Sequence, residues 1–358
     1  MNKKVCYVSY PYTARRDTGR GHDEYAHELI SRVGKKDIDT EVWEGPFKDT
    51  YGAGGIGTSI RGAIEELVFP FKFRKATADI FHATSPIGAR TAILLKKRPL
   101  ITTIHDVIHL FIKSGYDILP KHRYKAWCIE LAAKKSDYIV TIFEFNKDVL
   151  ISKFKVSPKK IKVIPIGIDH KKFFPGPKAS SSSRKIVFAG EVTRSKGVDT
   201  LIKAFSAIIK KMSDVKLVIG STGRDMGFMR NLVSCLGLDG KVEFLGFIPD
   251  EKLQEFFAQA EIAVFPSHYG FGLPTLEAMA CGTPTISGDT LDAPEFVKDA
   301  GLLVKPGNES ELASAMLEVL RDNSLAAELR QKGIDRAREF TWDKMADETA
   351  KFYQEILA

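Results

Sequence analysis

Short runs rich in β-branched and aromatic residues recur along the chain and alternate with longer stretches whose apolar positions repeat every three to four residues. The first pattern suits strands buried on both faces and the second suits amphipathic helices; their alternation is the mark of βαβ units and parallel sheets. In the first half the strand-like runs are KVCYVSY, TEVWE, ADIFHA, PLITTIH, DYIVTI and KIKVIPI, with helix-like stretches such as Glu24 to Val33 and Lys125 to Lys135 between them. Pro175-Gly176-Pro177 and Ser180 to Ser183 continue neither kind of element and read as a linker. Beyond it KIVFAG, VKLVIG, KVEFLG, EIAVFP and TPTISG restart the alternation, and Thr341 stands as a cap before a last helix, Asp343 to Leu357. The expected fold class is α/β with two parallel sheets.

A length of 358 residues allows two domains with large cores, and 44% hydrophobic with 27% charged residues is an ordinary globular balance. The longest apolar run, Leu100 to Ile112, is interrupted by His105, Asp106 and His109 and falls short of the roughly 20 residues of a membrane-spanning helix. VCYVSYPY after Lys3 and Lys4 lacks a small-residue cleavage site and reads as a first strand, so the expected location is the cytoplasm. Cys6, Cys128, Cys235 and Cys281 fit no metal or redox spacing and are expected to be buried free thiols.

Charge is distributed unevenly. Residues 1–176 hold 31 Lys and Arg against 19 Asp and Glu, net +12, whereas 177–358 hold 22 against 26, net −4. The excess lies in Lys96-Lys97-Arg98, Lys121 to Lys125, Lys134-Lys135 and Lys153, Lys155, Lys159, Lys160 and Lys162. It has two readings, solvated helix faces or attraction to an anionic surface on the inner side of a membrane. Tyr124, Trp127, Cys128 and Leu131 fall at helical spacing and are expected in the core. The chain shows no nucleic-acid module and no aromatics interleaved with the basic runs, so nucleic acid is not an expected partner.

Doubly wound sheets bind ligands beyond the carboxyl ends of their strands, which draws attention to four loops. Asp17-Thr18-Gly19-Arg20-Gly21-His22 follows the first strand and opens a helix; its glycines permit either close backbone approach to a phosphate or a plain turn. His105-Asp106 follows PLITTI, where the histidine is either a hydrogen-bonding group near a reacting centre, its tautomer set by Asp106, or a structural residue. His82 and His109 have weaker cases. Gly190-Glu191-Val192-Thr193-Arg194-Ser195-Lys196-Gly197 places two cations before a helix over Val198 to Lys210, either a basic loop or a counter-charge for a diphosphate. The fourth loop, Pro266 to Pro284, combines Gly270-Phe271-Gly272-Leu273 with a helix start at Pro274 and a carboxylate, Glu277, one turn further on. Such a turn offers N–H groups to an anion, and Glu277 is placed to reach ribose hydroxyls. Asp37-Ile38-Asp39 has the spacing of a metal-binding acidic pair, but it precedes a strand and reads as an exposed turn. Residues 52–62, GAGGIGTSIRG, are glycine-rich enough to close over an acceptor.

The stretch YGFGLPTLEAMACGTP resembles a signature of glycosyltransferase family 4, E-G-F-G-L-P-x-x-E-A-M-A-x-G-x-P. IPIGIDHKKFFP, FAGEVTRSKGVDTLIKAF and APEFVKDAGLLVKPGN are similar to three further segments of that family, so the resemblance covers nearly all of the second half. The first half matches more loosely, through its glycine loop and TTIHD. The resemblance implies a GT-B architecture of two facing Rossmann-like domains. Residues 1–175 with 343–358 would form the acceptor domain, the last helix crossing back, and 176–342 the nucleotide-sugar domain. It implies a retaining, metal-independent transfer of a hexose to a glycan, glycolipid or lipid-linked acceptor, with no cofactor. Lys196 would bind the donor diphosphate, the Gly270 to Leu273 backbone the sugar and phosphate, Glu277 the ribose, and His105 would sit near the transferred sugar. Gly19, Gly21 and Gly190 join the donor set. GDP-mannose is placed ahead of a UDP-sugar as donor.

Two departures from the family pattern carry consequences. Glu191 stands where the family has arginine, and Arg194 is the cation placed to replace it; Tyr269 stands at, or beside, the first of the family's paired carboxylates. Without that carboxylate as nucleophile, the mechanism left is same-face attack, in which cations and N–H dipoles stabilise the departing diphosphate. The same two residues keep open an alternative, a degenerate member of the family that binds nucleotide sugar or serves as a partner subunit.

Overall fold

The computed structural model describes residues 3–9, 21–36, 38–44, 68–111, 120–177, 184–270 and 272–358. The chain divides into two compact units, Met1–Gly167 with Trp342–Ala358, and Ile168–Thr341. Each carries a parallel sheet of six strands.

In the first unit the strands are β1 (Lys3–Ser9), β2 (Ile38–Glu44), β3 (Ile80–Ala83), β4 (Leu100–Ile104), β5 (Tyr138–Thr141) and β6 (Ile161–Val163), in the spatial order β2-β1-β3-β4-β5-β6. Helices α1 (Gly21–Val33), α2 (Pro86–Leu94), α3 (Pro120–Lys135) and α4 (Glu144–Phe154) link them. Val5, Cys6, Tyr7 and Val8 are all at most 1% exposed, as a central strand covered on both faces requires. The order reverses between β1 and β3, and such a reversal opens a crevice at the carboxyl ends of those two strands. Ser85 caps α2 by accepting from the Gly88 N–H at 3.2 Å, and a Cβ on Gly88 would lie 2.9 Å from the Val8 carbonyl oxygen, so this helix start is held close to β1.

The second unit holds β7 (Arg184–Ala189), β8 (Val215–Gly220), β9 (Val242–Gly246), β10 (Ile262–Phe265), β11 (Thr285–Gly288) and β12 (Leu302–Val304), ordered β12-β11-β10-β7-β8-β9. Its helices are α5 (Val198–Ile209), α6 (Met226–Cys235), α7 (Asp250–Ala258), α8 (Leu273–Ala280), α9 (Ala293–Val297), α10 (Glu309–Arg321) and α11 (Asn323–Arg338). The reversal here lies between β7 and β10. Strand β12 has no counterpart among the strand-like runs of the sequence: three residues between a glycine and Lys305-Pro306 give no period to detect.

The last helix, α12 (Trp342–Leu357), belongs to the first unit. It packs on α1, with ion pairs from Arg32 to Asp343 and from Lys36 to Asp347. The chain passes into the second unit at Ile168, ahead of the Pro175-Gly176-Pro177 stretch. Lys172 pairs with Asp250 at 2.7 Å, and the Phe174 carbonyl accepts from Gln254 at 2.8 Å, holding 168–174 to α7 and its start.

Two expectations about single residues need correction. Cys6, Cys128 and Cys281 are buried but Cys235 is exposed, because it ends α6 on the outer face. Trp127 is 48% exposed, not core: it stacks against Tyr124, at 6.0 Å between ring centroids, on the open side of α3. No helix among the described residues is long and apolar enough to cross a membrane.

Candidate active site

In the second unit the loops that follow β7 and β10, the two strands flanking the reversal, are the two motif-bearing segments. The β7 loop leaves the sheet through Gly190, whose φ of +151° a side chain rarely adopts, and exposed Glu191 follows it. Thr193 then caps a single turn, Arg194–Lys196, its Oγ1 accepting from the Lys196 N–H at 3.3 Å and lying 3.0 Å from Ser195 Oγ. Gly197 ends the turn at φ +71° and opens α5. A Cβ there would lie 2.0 Å from the Pro266 carbonyl oxygen, so only glycine allows this approach. The His268 N–H donates to the Ser195 carbonyl at 3.0 Å. The two loops are thereby fastened backbone to backbone at the crevice.

Lys196 is half-buried beside this seam. Arg194 points elsewhere: its N–H donates to Asp225 Oδ2 at 2.8 Å, its Nε lies 3.8 Å from the same oxygen, and its guanidinium stacks 5.3 Å from the Phe228 ring centre. Arg194 thus joins the β7 loop to the start of α6. The 221–225 loop after β8 completes this side, with the Val192 N–H donating to the Thr222 carbonyl at 3.0 Å. A Cβ on Gly223 would lie 2.3 Å from the Val192 carbonyl oxygen. Neither Asp225 nor this loop stands out among the sequence motifs, although its position directly after VKLVIG is the signal that finds it.

After β10, Ser267 Oγ donates to the Tyr269 carbonyl at 2.5 Å and accepts from the Tyr269 N–H at 3.2 Å. Gly270 follows at φ +68°. Phe271 lies outside the described residues. Gly272 precedes α8 with no side-chain cap; Pro274 has no N–H and the Thr275 N–H bonds back to the Gly272 carbonyl at 3.0 Å, which leaves the Leu273 N–H as the first-turn donor for an anion. Glu277 is half-buried on the second turn; burial, with a smaller contribution from the Glu277 charge, pushes the Cys281 thiol up to about 12. Gly307, after β12, adds a further wall: a Cβ on it would lie 3.2 Å from His268 Cε1.

In the first unit, Gly19 and the glycine-rich 52–62 segment lie outside the described residues, and Gly21 is the first residue of α1. His105 follows β4 and is 7% exposed. Its Nε2 is 3.1 Å from the Thr84 carbonyl oxygen, which can only accept, so Nε2 carries the proton. Thr84, not Asp106, therefore supplies the bond that orients the ring; the Asp106 carboxylate instead accepts the Ile108 N–H at 3.2 Å. The His105 carbonyl accepts from Asn146 Nδ2 at 2.9 Å. Tyr25 stands edge-on to the imidazole, with 4.5 Å between ring centres.

His82, a secondary candidate, is wholly buried and bonded on both ring nitrogens, to Tyr353 and, at 2.8 Å, to Thr103. Burial lowers its pKa to about 3, so it is neutral. His109 lies 3.0 Å, Nδ1 to Nδ1, from His122 on α3. Asp39 is exposed at the amino end of β2, away from the strand ends that face the crevice; Asp37 is not among the described residues.

Two six-stranded doubly wound units, the first completed by the last helix of the chain and the second with glycine loops fastened at its reversal point, are the architecture of GT-B glycosyltransferases. Residues 169–340 match the family model for glycosyl transferases group 1, and residues 24–172 match that for glycosyltransferase family 4. The chain is 31% identical over 299 residues to the MMP alpha-(1->4)-mannosyltransferase of Mycolicibacterium hassiacum, covering 80% of this chain and 72% of that protein. It is 26% identical over 267 residues to the O-antigen chain mannosyltransferase B of Escherichia coli, covering 71% and 70%. The chain belongs to glycosyltransferase family 4. Sucrose-phosphate synthase from Thermosynechococcus elongatus superposes with a TM-score of 0.82 at 21% identity over 99% of both chains. HepE of Anabaena, in complex with UDP and glucose, gives 0.74 at 16% over 99% of this chain and 100% of that one, so both share the fold.

Proposed function

We propose that this protein transfers a hexose, with retention and without a metal, from a nucleotide-diphosphate sugar to a hydroxyl of a glycan, glycolipid or lipid-linked acceptor. The observation that carries this reading is the seam in the second unit, where the His268 N–H meets the Ser195 carbonyl and Gly197 abuts Pro266. It sets a cation, Lys196, near an uncapped helix start, the pairing a diphosphate requires. Mannose is the favoured sugar because two relatives above are named mannosyltransferases, which makes GDP-mannose the first donor to try.

In the proposed step the bond from the anomeric carbon to the diphosphate oxygen breaks, and the acceptor oxygen bonds to that carbon on the same face. The acceptor proton passes to the departing phosphate oxygen, giving a nucleoside diphosphate. Lys196 and the N–H groups of Gly272 and Leu273 stabilise the charge that grows on the leaving group. Arg194 contributes at longer range, its guanidinium shared with Asp225. Glu277 holds the ribose, and His105, with its Nε2–H given to Thr84, orients the sugar. Exposed Glu191 is consistent with a carboxylate that stays in solvent. Lys153, Lys155, Lys159 and Lys160, all exposed at the end of α4 and just beyond, supply the positive face for an anionic membrane carrying the acceptor.

Thermal unfolding with GDP-mannose and with UDP-glucose tests the donor. At 100 times its dissociation constant the true donor adds roughly 2.7 kcal/mol of stability. Stabilisation with release of nucleoside diphosphate supports the reading; stabilisation without turnover favours the degenerate alternative; no stabilisation by either sugar nucleotide rejects this site.

A further inference from the structure

Beneath His105 the first unit buries a chain of polar side chains that the transfer step does not use. Tyr353, on α12, donates its O–H to the Tyr7 oxygen at 3.1 Å. A hydroxyl has one hydrogen, so the Tyr353 oxygen must accept from His82 Nδ1–H. Neutral His82 then has its lone pair on Nε2, which accepts the Thr103 O–H at 2.8 Å. With that proton committed, the Thr103 oxygen accepts from the Tyr25 O–H at 3.1 Å. The donors of Tyr353, His82, Thr103 and Tyr25 each have one assigned acceptor, and these side chains and Tyr7 are at most 1% exposed. The series ends at the Tyr25 ring, which meets the His105 imidazole at 4.5 Å and 86°. A perpendicular ring contact of this kind favours one imidazole plane, beside the bond from His105 Nε2 to the Thr84 carbonyl.

We propose that Tyr25 is a positioning residue for His105: its ring sets the imidazole plane, and its hydroxyl is tethered through Thr103 and His82 to Tyr353 on the last helix. This rests on the sugar-orienting role given to His105 above. Tyr25 acts only through His105, so its effect must vanish when His105 is absent.

A double-mutant cycle with the donor selected by the thermal screen, GDP-mannose or UDP-glucose, tests this. His105→Ala is expected to lower kcat about 10- to 100-fold and Tyr25→Leu about 10-fold, the pair together being no slower than His105→Ala alone. Affinity for the free nucleoside diphosphate, measured by calorimetry, stays within about twofold in all three. Tyr25→Phe, which keeps the ring, recovers most of the rate. In protein labelled with 15N-histidine, His105 shows the Nε2–H tautomer in the parent and in Tyr25→Leu, with its ring signals broadened in the variant as the plane loosens. Should Tyr25→Leu fail to fold, Thr103→Val cuts the same tether, with an expected loss of about threefold in kcat and the same broadening. Multiplicative losses in the double variant, or an unbroadened His105 signal with unchanged kcat in Tyr25→Leu or Thr103→Val, overturn the proposal while leaving the role of His105 standing. An unchanged kcat in His105→Ala overturns that role itself, and the positioning with it, and is visible in that variant alone.

Discussion

The two units build their crevices from different materials. The second fastens main chain to main chain: Gly197 against Pro266, Gly223 against Val192, His268 against Ser195. The first orients His105 with side chains drawn from β1, α1, β3, β4 and α12, linked by hydroxyls and a neutral imidazole. Backbone recognition tolerates many side chains but not a Cβ at the point of approach, whereas exchanging a member of a side-chain series for an apolar residue leaves a buried polar partner unsatisfied. The units should therefore fail in different ways.

The largest expected effect is Gly197→Ala. A Cβ 2.0 Å from the Pro266 oxygen at φ +71° forces the seam apart, at a cost of about 4 to 5 kcal/mol in denaturant unfolding. Gly240→Ala, with φ +75° but open space around it, isolates the conformational part and should cost about 1 to 2 kcal/mol. Equal costs would remove the argument for close approach.

Next comes the response of the first unit to acid. His82 is neutral when folded, with a pKa of about 3 against 6.5 for the free side chain, so the unfolded chain binds the extra proton. The stability due to this shift is fully present above pH 6.5 and is lost as the pH falls from there toward 3, about 3 kcal/mol of it by pH 4. His82→Asn should flatten this part of the stability profile; identical slopes in parent and variant would show that His82 is not the proton acceptor.

The smallest is Lys196→Ala, expected to lower kcat/KM for the nucleotide sugar about 100-fold with little change in melting temperature. Arg194→Ala should cost about 10-fold, because its guanidinium is already shared with Asp225 and Phe228, and should lower the melting temperature as well. A reversal of that ranking would make Arg194 the main diphosphate cation.

The same contrast governs how much of the molecule is legible in its sequence. Strand β7, the Thr193-to-Gly197 turn and the Gly270-to-Glu277 segment are local: strand, glycine and helix start lie within ten or so residues, so spacing marks them out, while the choice between a basic loop and a diphosphate site comes from the family resemblance. Asp225 is within reach too, through its place in the loop directly after the VKLVIG strand. The partner of His105 is not, because the nearest carboxylate in sequence, Asp106, is taken by the Ile108 amide and the orienting carbonyl belongs to Thr84, just past the end of the neighbouring strand β3. The Tyr7, Tyr25, His82, Thr103 and Tyr353 series is further out of reach, since its members meet only once five elements are in place. Trp127 misleads for another reason: helical spacing fixes which residues share a face, not which face turns inward.

Because α12 completes the first unit, biosynthesis has a built-in delay. Tyr353 and the acidic partners of Arg32 and Lys36 are made only after the ribosome has traversed Ile168 to Thr341. At ordinary translation speeds that passage takes roughly ten to thirty seconds. Throughout it the amino-terminal sheet waits without its closing helix, and the second unit is complete before the first.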